Sequence, residues 1–225
     1  MILLLTVASL AAEPAPEPTS VPVPVRMAQH VALVQGMHDA VIQGDAEGAR
    51  GLAAELARLD PASLPNALRV GLVALSAEAG RVGAAPDAPQ TAAAVAQVLG
   101  VCAGCHSETG GGPRLNTRAV PPAEFAADSP MPQHQWAVDW LFIGIVAGDD
   151  AGWARGAKAL TEAPILAAEA TRPESFAALE ASLRKSAAEA ASATQPGDRV
   201  KAYGQVIGQC AACHMALEGE GATPR

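Results

Sequence analysis

Two stretches of this chain are one stretch written twice. Residues 27–57, "MAQHVALVQGMHDAVIQGDAEGARGLAAELA", lie over residues 131–161, "MPQHQWAVDWLFIGIVAGDDAGWARGAKALT". Met27 meets Met131, Gln29 meets Gln133, His30 meets His134, and Gly44-Asp45 meets Gly148-Asp149, at an offset of 104 residues (30 to 134). A second pair, "GVCAGCHS" at 100–107 and "GQCAACHM" at 208–215, recurs at an offset of 108 (102 to 210), so four residues are inserted inside the second copy. A duplication of this period predicts one small supersecondary unit built twice.

Each unit reads as four helices. Half the chain is apolar but only 3% is aromatic. Alanine, the best helix former, fills much of the apolar half. In the first unit, helix A covers 27–43 and stops at Gly44, and Asp45 caps helix B, which runs to Leu59. "DPASLP" breaks the chain before helix C at 64–82. "AAPDAPQ" breaks it again, with Asp87 and Gln90 at the spacing of a capping box, and helix D runs into the cysteine motif. In the second unit, helix A covers 131–147 and helix B 149–161. Helix C starts near Pro173, and helix D follows "QPGD" to Leu217. Short connections make neighbouring helices antiparallel, so the predicted class is all-α: two tandem up-down-up-down four-helix bundles over 27–110 and 131–217.

The flanks read differently. Ile2–Ala12 is apolar over the length of a signal peptide and too short for a membrane span, with small residues Ser9 and Ala11 placed for cleavage after Ala11 or Ala12. Residues 1–12 therefore predict export, to the periplasm or beyond, with no integral membrane segment left after cleavage. Residues 13–26 form a proline-rich spacer, with five prolines in "EPAPEPTSVPVPV". Residues 111–130 form a Gly/Pro-rich linker, and 218–225 a short tail. A net charge of −8 excludes nucleic acid as a partner, since such proteins carry a basic face.

The four cysteines are all spent on two copies of Cys-x-x-Cys-His. That pentapeptide is the attachment signature of c-type haem. Two thiols one helical turn apart match the two vinyl groups of the haem edge, and the following His turns its imidazole to the iron. The residues are Cys102, Cys105 and His106, then Cys210, Cys213 and His214. A zinc site would bring its cysteine pairs closer in sequence and would not need a His after each. A thioredoxin-like pair would sit beside a strand–helix pattern that this sequence lacks. Disulfides closing such tiny loops would add little stability. Two covalently attached haem c groups are the expected cofactors.

On these motifs the chain resembles a dihaem c-type cytochrome, and its units resemble the cytochrome c′ type, a four-helix bundle with the haem motif near its C-terminus. The resemblance extends over 27–217, with its specific part confined to the two motifs. The small globular class of cytochrome c places a distal Met some fifty residues after the motif, whereas only eleven residues follow His214. "GCHSETGGGPRL" at 104–115 echoes that globular class. Neither "CHSETG" nor "CHMALE" has the aromatic and Arg usual in the c′ type. The resemblance allows for a homodimer, since many bundles of this type pair.

The sixth iron ligand decides the function. Met27, His30, Val34, Met37 and Val41 recur at 3-4 spacing, as do Met131, His134, Val138, Leu141 and Ile145. This is the inward seam of a bundle helix. A buried imidazole needs a hydrogen bond or a metal. Related four-helix cytochromes place the distal residue on helix A at about the distance that separates His30 from Gly44 and His134 from Gly148. His30 and His134 are the first expectation, Met27 and Met131 the second, and an open position the third. His38, opposite Phe142 in the alignment, reads as a surface or packing residue. Trp136, Trp140 and Trp153 read as packing residues of the core or of the interface between units.

Irons with both axial positions filled imply electron transfer with a redox partner protein. An open position implies a gas-binding or sensing protein. A dihaem peroxidase is the third reading, and the sequence holds no further acid–base constellation for it, so no enzyme activity is expected.

Overall fold

The computed structural model describes residues 23–110, 131–163 and 174–219. The expected signal peptide, most of the expected spacer (together 1–22), the expected linker at 111–130, residues 164–173 with the expected start of a helix near Pro173, and the tail beyond Gly219 lie outside the described residues. Those described form eight α-helices: α1 (Val23–Ile42), α2 (Ala46–Ala57), α3 (Asn66–Ala84), α4 (Ala88–Thr109), α5 (Met131–Val146), α6 (Asp150–Glu162), α7 (Glu174–Ser192) and α8 (Pro196–Gly219). A short 3-10 turn, Pro61–Ser63, precedes α3, and no strand occurs among the described residues. The fold is all-helical.

Local chemistry sets the boundaries. Gly44 and Gly148 take φ of 81° and 64°, the left-handed turn that ends α1 and α5. The Asp45 carboxylate accepts from Gly48 N at 2.7 Å and that of Asp149 from Gly152 N at 3.0 Å, capping α2 and α6. Asp87 caps α4 by accepting from Gln90 N at 2.8 Å. The return half of the expected box differs: Gln90 Nε2 donates to the Asp87 carboxylate at 3.1 Å instead of receiving the cap's own N–H. The spacer reading ends too late, because α1 already begins at Val23. Pro24 does not prevent this, since the first turn of a helix needs no N–H from it.

In the first repeat α1 packs on α2, α2 on α3, α3 on α4, and α4 on α1; α5 to α8 follow the same order. The helix A seams face inward except at their first positions, where Met27 is partly buried and Met131 is exposed. His30, Val34, Met37 and Val41 are buried, as are His134, Val138, Leu141 and Ile145. Trp140 and Trp153 are buried as well, and Trp153 Nε1 donates to Ala190 O at 2.9 Å, tying α6 to α7.

The two repeats share one continuous core. Its centre is the contact between α4 and α8. A Cβ on Gly100 would lie 3.2 Å from Val200, one on Gly204 3.1 Å from Ala93 and 3.2 Å from Ala96, and one on Gly208 3.5 Å from Ala92. Numbers rise on one helix as they fall on the other, so α4 and α8 run antiparallel and cross near Ala96 and Gly204. Small residues there let the backbones approach closely. α4 is long and apolar enough to cross a membrane by length and composition, and here α3 and α8 pack along it.

Candidate functional site

Cys102, Cys105 and His106 fall on one helix, α4, at i, i+3 and i+4; Cys210, Cys213 and His214 repeat this on α8. That spacing stacks the three side chains of each set on one helix face. The antiparallel crossing sends the two motifs to opposite ends of the molecule. Each motif centre lies eight residues past the crossing, so they are about 24 Å apart along the pair at 1.5 Å per residue.

The imidazole of the first motif has a fixed orientation. His106 Nδ1 lies 2.8 Å from the carbonyl oxygen of Val146. A carbonyl can only accept, so Nδ1 carries the proton and Nε2 keeps its lone pair. Val146 is the last residue of α5, where carbonyls have no partner inside the helix. An imidazole held through Nδ1–H with Nε2 open is the arrangement of a metal-ligating histidine. The acceptor belongs to the other repeat. The second motif makes the corresponding approach to the first: a Cβ on Gly44 would lie 2.8 Å from Met215 Cγ and 3.5 Å from Ala211 O, beside His214. Each haem-motif helix thus ends against the α-helical corner of the opposite repeat.

The four cysteines are free thiols and partly buried. Burial, with a smaller push from Cys105, raises the Cys102 thiol to about 12. Burial and then Cys213 raise Cys210 to about 12 as well. Burial also raises Cys213. Such thiols are protonated and inert at neutral pH, unlike the low-pKa cysteines of redox pairs. Opposite Cys105 stands Gly71 on α3, where a Cβ would come within 2.9 Å of the Cys105 sulfur.

On helix A, His30 and His134 are matched in burial, each 8% exposed. Burial, then the charge of Arg26, lowers the His30 pKa, which keeps its ring neutral at pH 7. The methionines are not matched: Met27 packs partly buried against the core, while Met131 is 39% exposed. α1 runs antiparallel to α4 in the up-down order, so the first turns of α1 share an end with the last turns of α4; α5 and α8 do likewise. Among the described residues no three His, Cys, Asp or Glu side chains converge as a metal cluster. A c-type haem does not call for one, because its cysteines bond the porphyrin edge and only the histidines meet the iron. The residues present, in type and spacing, and His106 in its ring orientation, fit that group.

One bond between the repeats is absent from the sequence reading. His38, expected at the surface or in simple packing, is only 3% exposed and hydrogen-bonds Tyr203 across the boundary between repeats. The available signal was a break in the repeat: His38 stands opposite Phe142, and Tyr203 opposite Val95. No protein family, curated protein or solved structure matches this chain.

Proposed function

We propose that the chain is an exported dihaem c-type cytochrome acting in electron transfer, with one covalent haem c on each of two four-helix units. Bound at these positions, the haem iron supplies a one-electron couple. Cys102 with Cys105, and Cys210 with Cys213, tether the two groups by thioether bonds. His106 and His214 would each supply one ligand to an iron, and His30 and His134 would supply the second. The observation that carries the reading is the His106 Nδ1–H to Val146 carbonyl bond, which leaves the Nε2 lone pair available to a metal.

The distal assignment is supported by the equal burial of His30 and His134, which the methionines lack. It is further supported by the neutral state of His30, since only the neutral ring has a lone pair to give. Placement of the motifs at opposite ends favours a relay, one end accepting an electron from a redox partner protein and the other passing it on. The export reading rests on Ile2–Ala12.

The deciding experiment is haem stoichiometry after acid–acetone extraction of protein matured with a haem-attachment system. Wild type retains two haems per chain. The variant carrying Cys102→Ala and Cys105→Ala retains one, and the variant carrying Cys210→Ala and Cys213→Ala retains the other. Full retention in either variant, or none in the wild type, overturns the assignment.

A further inference from the structure

Near the crossing of α4 and α8, the duplicated chain breaks its own symmetry to place polar groups in the core. His38 of α1 hydrogen-bonds through Nδ1 to the Tyr203 hydroxyl of α8. The two rings stack at 5.9 Å, and Phe142 of α5 closes the other side at 5.5 Å. The remaining nitrogen, His38 Nε2, is buried without a hydrogen-bond partner. It lies 3.9 Å from an Asp39 carboxylate oxygen and 3.8 Å from one of Asp139, too far for hydrogen bonds but within ion-pair reach. In the repeat alignment these four positions are Phe142, Val95, Ile143 and Gln35. None of the counterparts titrates, so the duplication itself does not account for the cluster. A buried polar atom left unpaired calls for a reason.

We propose that His38 is a proton-binding centre between the two repeats, whose charge is linked to the oxidation state of both haems. The inference rests on the dihaem reading. The groups facing the ring are Asp39 from its own helix, Asp139 from α5 and Tyr203 from α8. Cys210 lies two turns beyond Tyr203 on α8 and is a thioether once haem is attached. α4 brings alanines to the crossing. Tyr203 holds its proton, because burial first, and then the charges of Asp139 and Asp39, raise its pKa well above the usual value. Its hydroxyl can donate to or accept from Nδ1, so it serves both states of the ring. A second proton on the imidazole gives Nε2–H two carboxylates to pair with. Burial raises the Asp39 carboxyl, with His38 opposing and Asp139 adding to the shift.

The position makes the link to both irons even-handed. Tyr203 is at the helix crossing, about 12 Å along the axis from either motif. Adding one electron at that distance, at an effective dielectric constant of about 20, raises the affinity of His38 for its proton about tenfold. Each potential therefore falls as pH rises between the two pKa values of His38, that of the oxidised protein below and that of the reduced protein above.

The test is a spectroelectrochemical titration of the full dihaem protein from pH 5 to 9, with His38 followed by NMR in both oxidation states. The expected result is a drop of about 59 mV per haem, the tenfold change for one electron. His38→Phe, the residue the second repeat uses here, and Tyr203→Phe each reduce the drop. The His38 pKa is higher in the reduced protein. Potentials independent of pH, a drop undiminished in the variants, or a His38 pKa equal in both states overturns the proposal. If His38→Phe does not fold, Tyr203→Phe and the wild-type NMR titration decide. A protein without covalent haem would instead refute the dihaem reading.

Discussion

His106 in the first repeat donates its Nδ1 proton to the backbone carbonyl of Val146 in the second, at 2.8 Å. The acceptor is a helix-terminal carbonyl, at the negative end of the α5 dipole. It fixes the ring and strengthens the donor character of Nε2. Since the acceptor sits two residues before Gly148, the corner of one repeat orients the motif histidine of the other.

Corner substitutions should therefore be felt across the repeats. Gly148→Val forces a β-branched residue into φ of 64° and disturbs the end of α5 at a cost of about 1–2 kcal/mol. The potential of the haem on His106 should shift, with the haem on His214 little changed. Gly44→Val should do the reverse, because its side chain would press on Met215. Redox titration of both variants reads this directly. Effects confined to the mutated repeat would contradict it.

Distal ligation by His30 and His134 predicts low-spin iron at both haems. His30→Ala and His134→Ala should each convert one haem of two to high spin or a new ligand set in the oxidised EPR spectrum. Wild-type spectra in both variants would move the ligation to Met27 and Met131. A wild type already high spin at either haem would favour the gas-binding alternative.

In the haem-free chain, Cys102 and Cys210 should resist alkylation at pH 7.5. With thiols raised to about 12, their thiolate population is thousands of times below that of an ordinary cysteine near 8.5. Their iodoacetamide rates, resolved by peptide mass spectrometry, should climb about tenfold per pH unit through pH 10. Fast labelling of either at neutral pH would point to an activated redox thiol.

Gly204→Val should destabilise the whole molecule and not one repeat. Its side chain would meet Ala93 and Ala96 at contact distances near 3.1 Å, forcing α4 from α8 at about 1–3 kcal/mol. One thermal transition, lowered as a unit, is expected by circular dichroism. Two transitions, of which only one moves, would show that the repeats melt independently.

Sequence by itself determined much of what depends on neighbours a few residues apart, though not the return half of the Asp87 box or the start of α1. The Asp45, Asp87 and Asp149 caps, the glycine corners at 44 and 148 and the inward seams of α1 and α5 follow from backbone sterics and helical period. The two Cys-x-x-Cys-His sets are legible for the same reason, since their chemistry needs only one helix turn. Tertiary structure alone decided that α4 and α8 cross antiparallel, that the two Cys-x-x-Cys-His motifs lie at opposite ends, and that His106 is oriented from the other repeat. It alone moved His38 from an expected packing role to a buried bond with Tyr203. Periodicity tells which face of a helix is covered, but not which helix covers it. That choice rests on how small residues such as Ala92, Ala96, Gly204 and Gly208 fit between two backbones far apart in the chain.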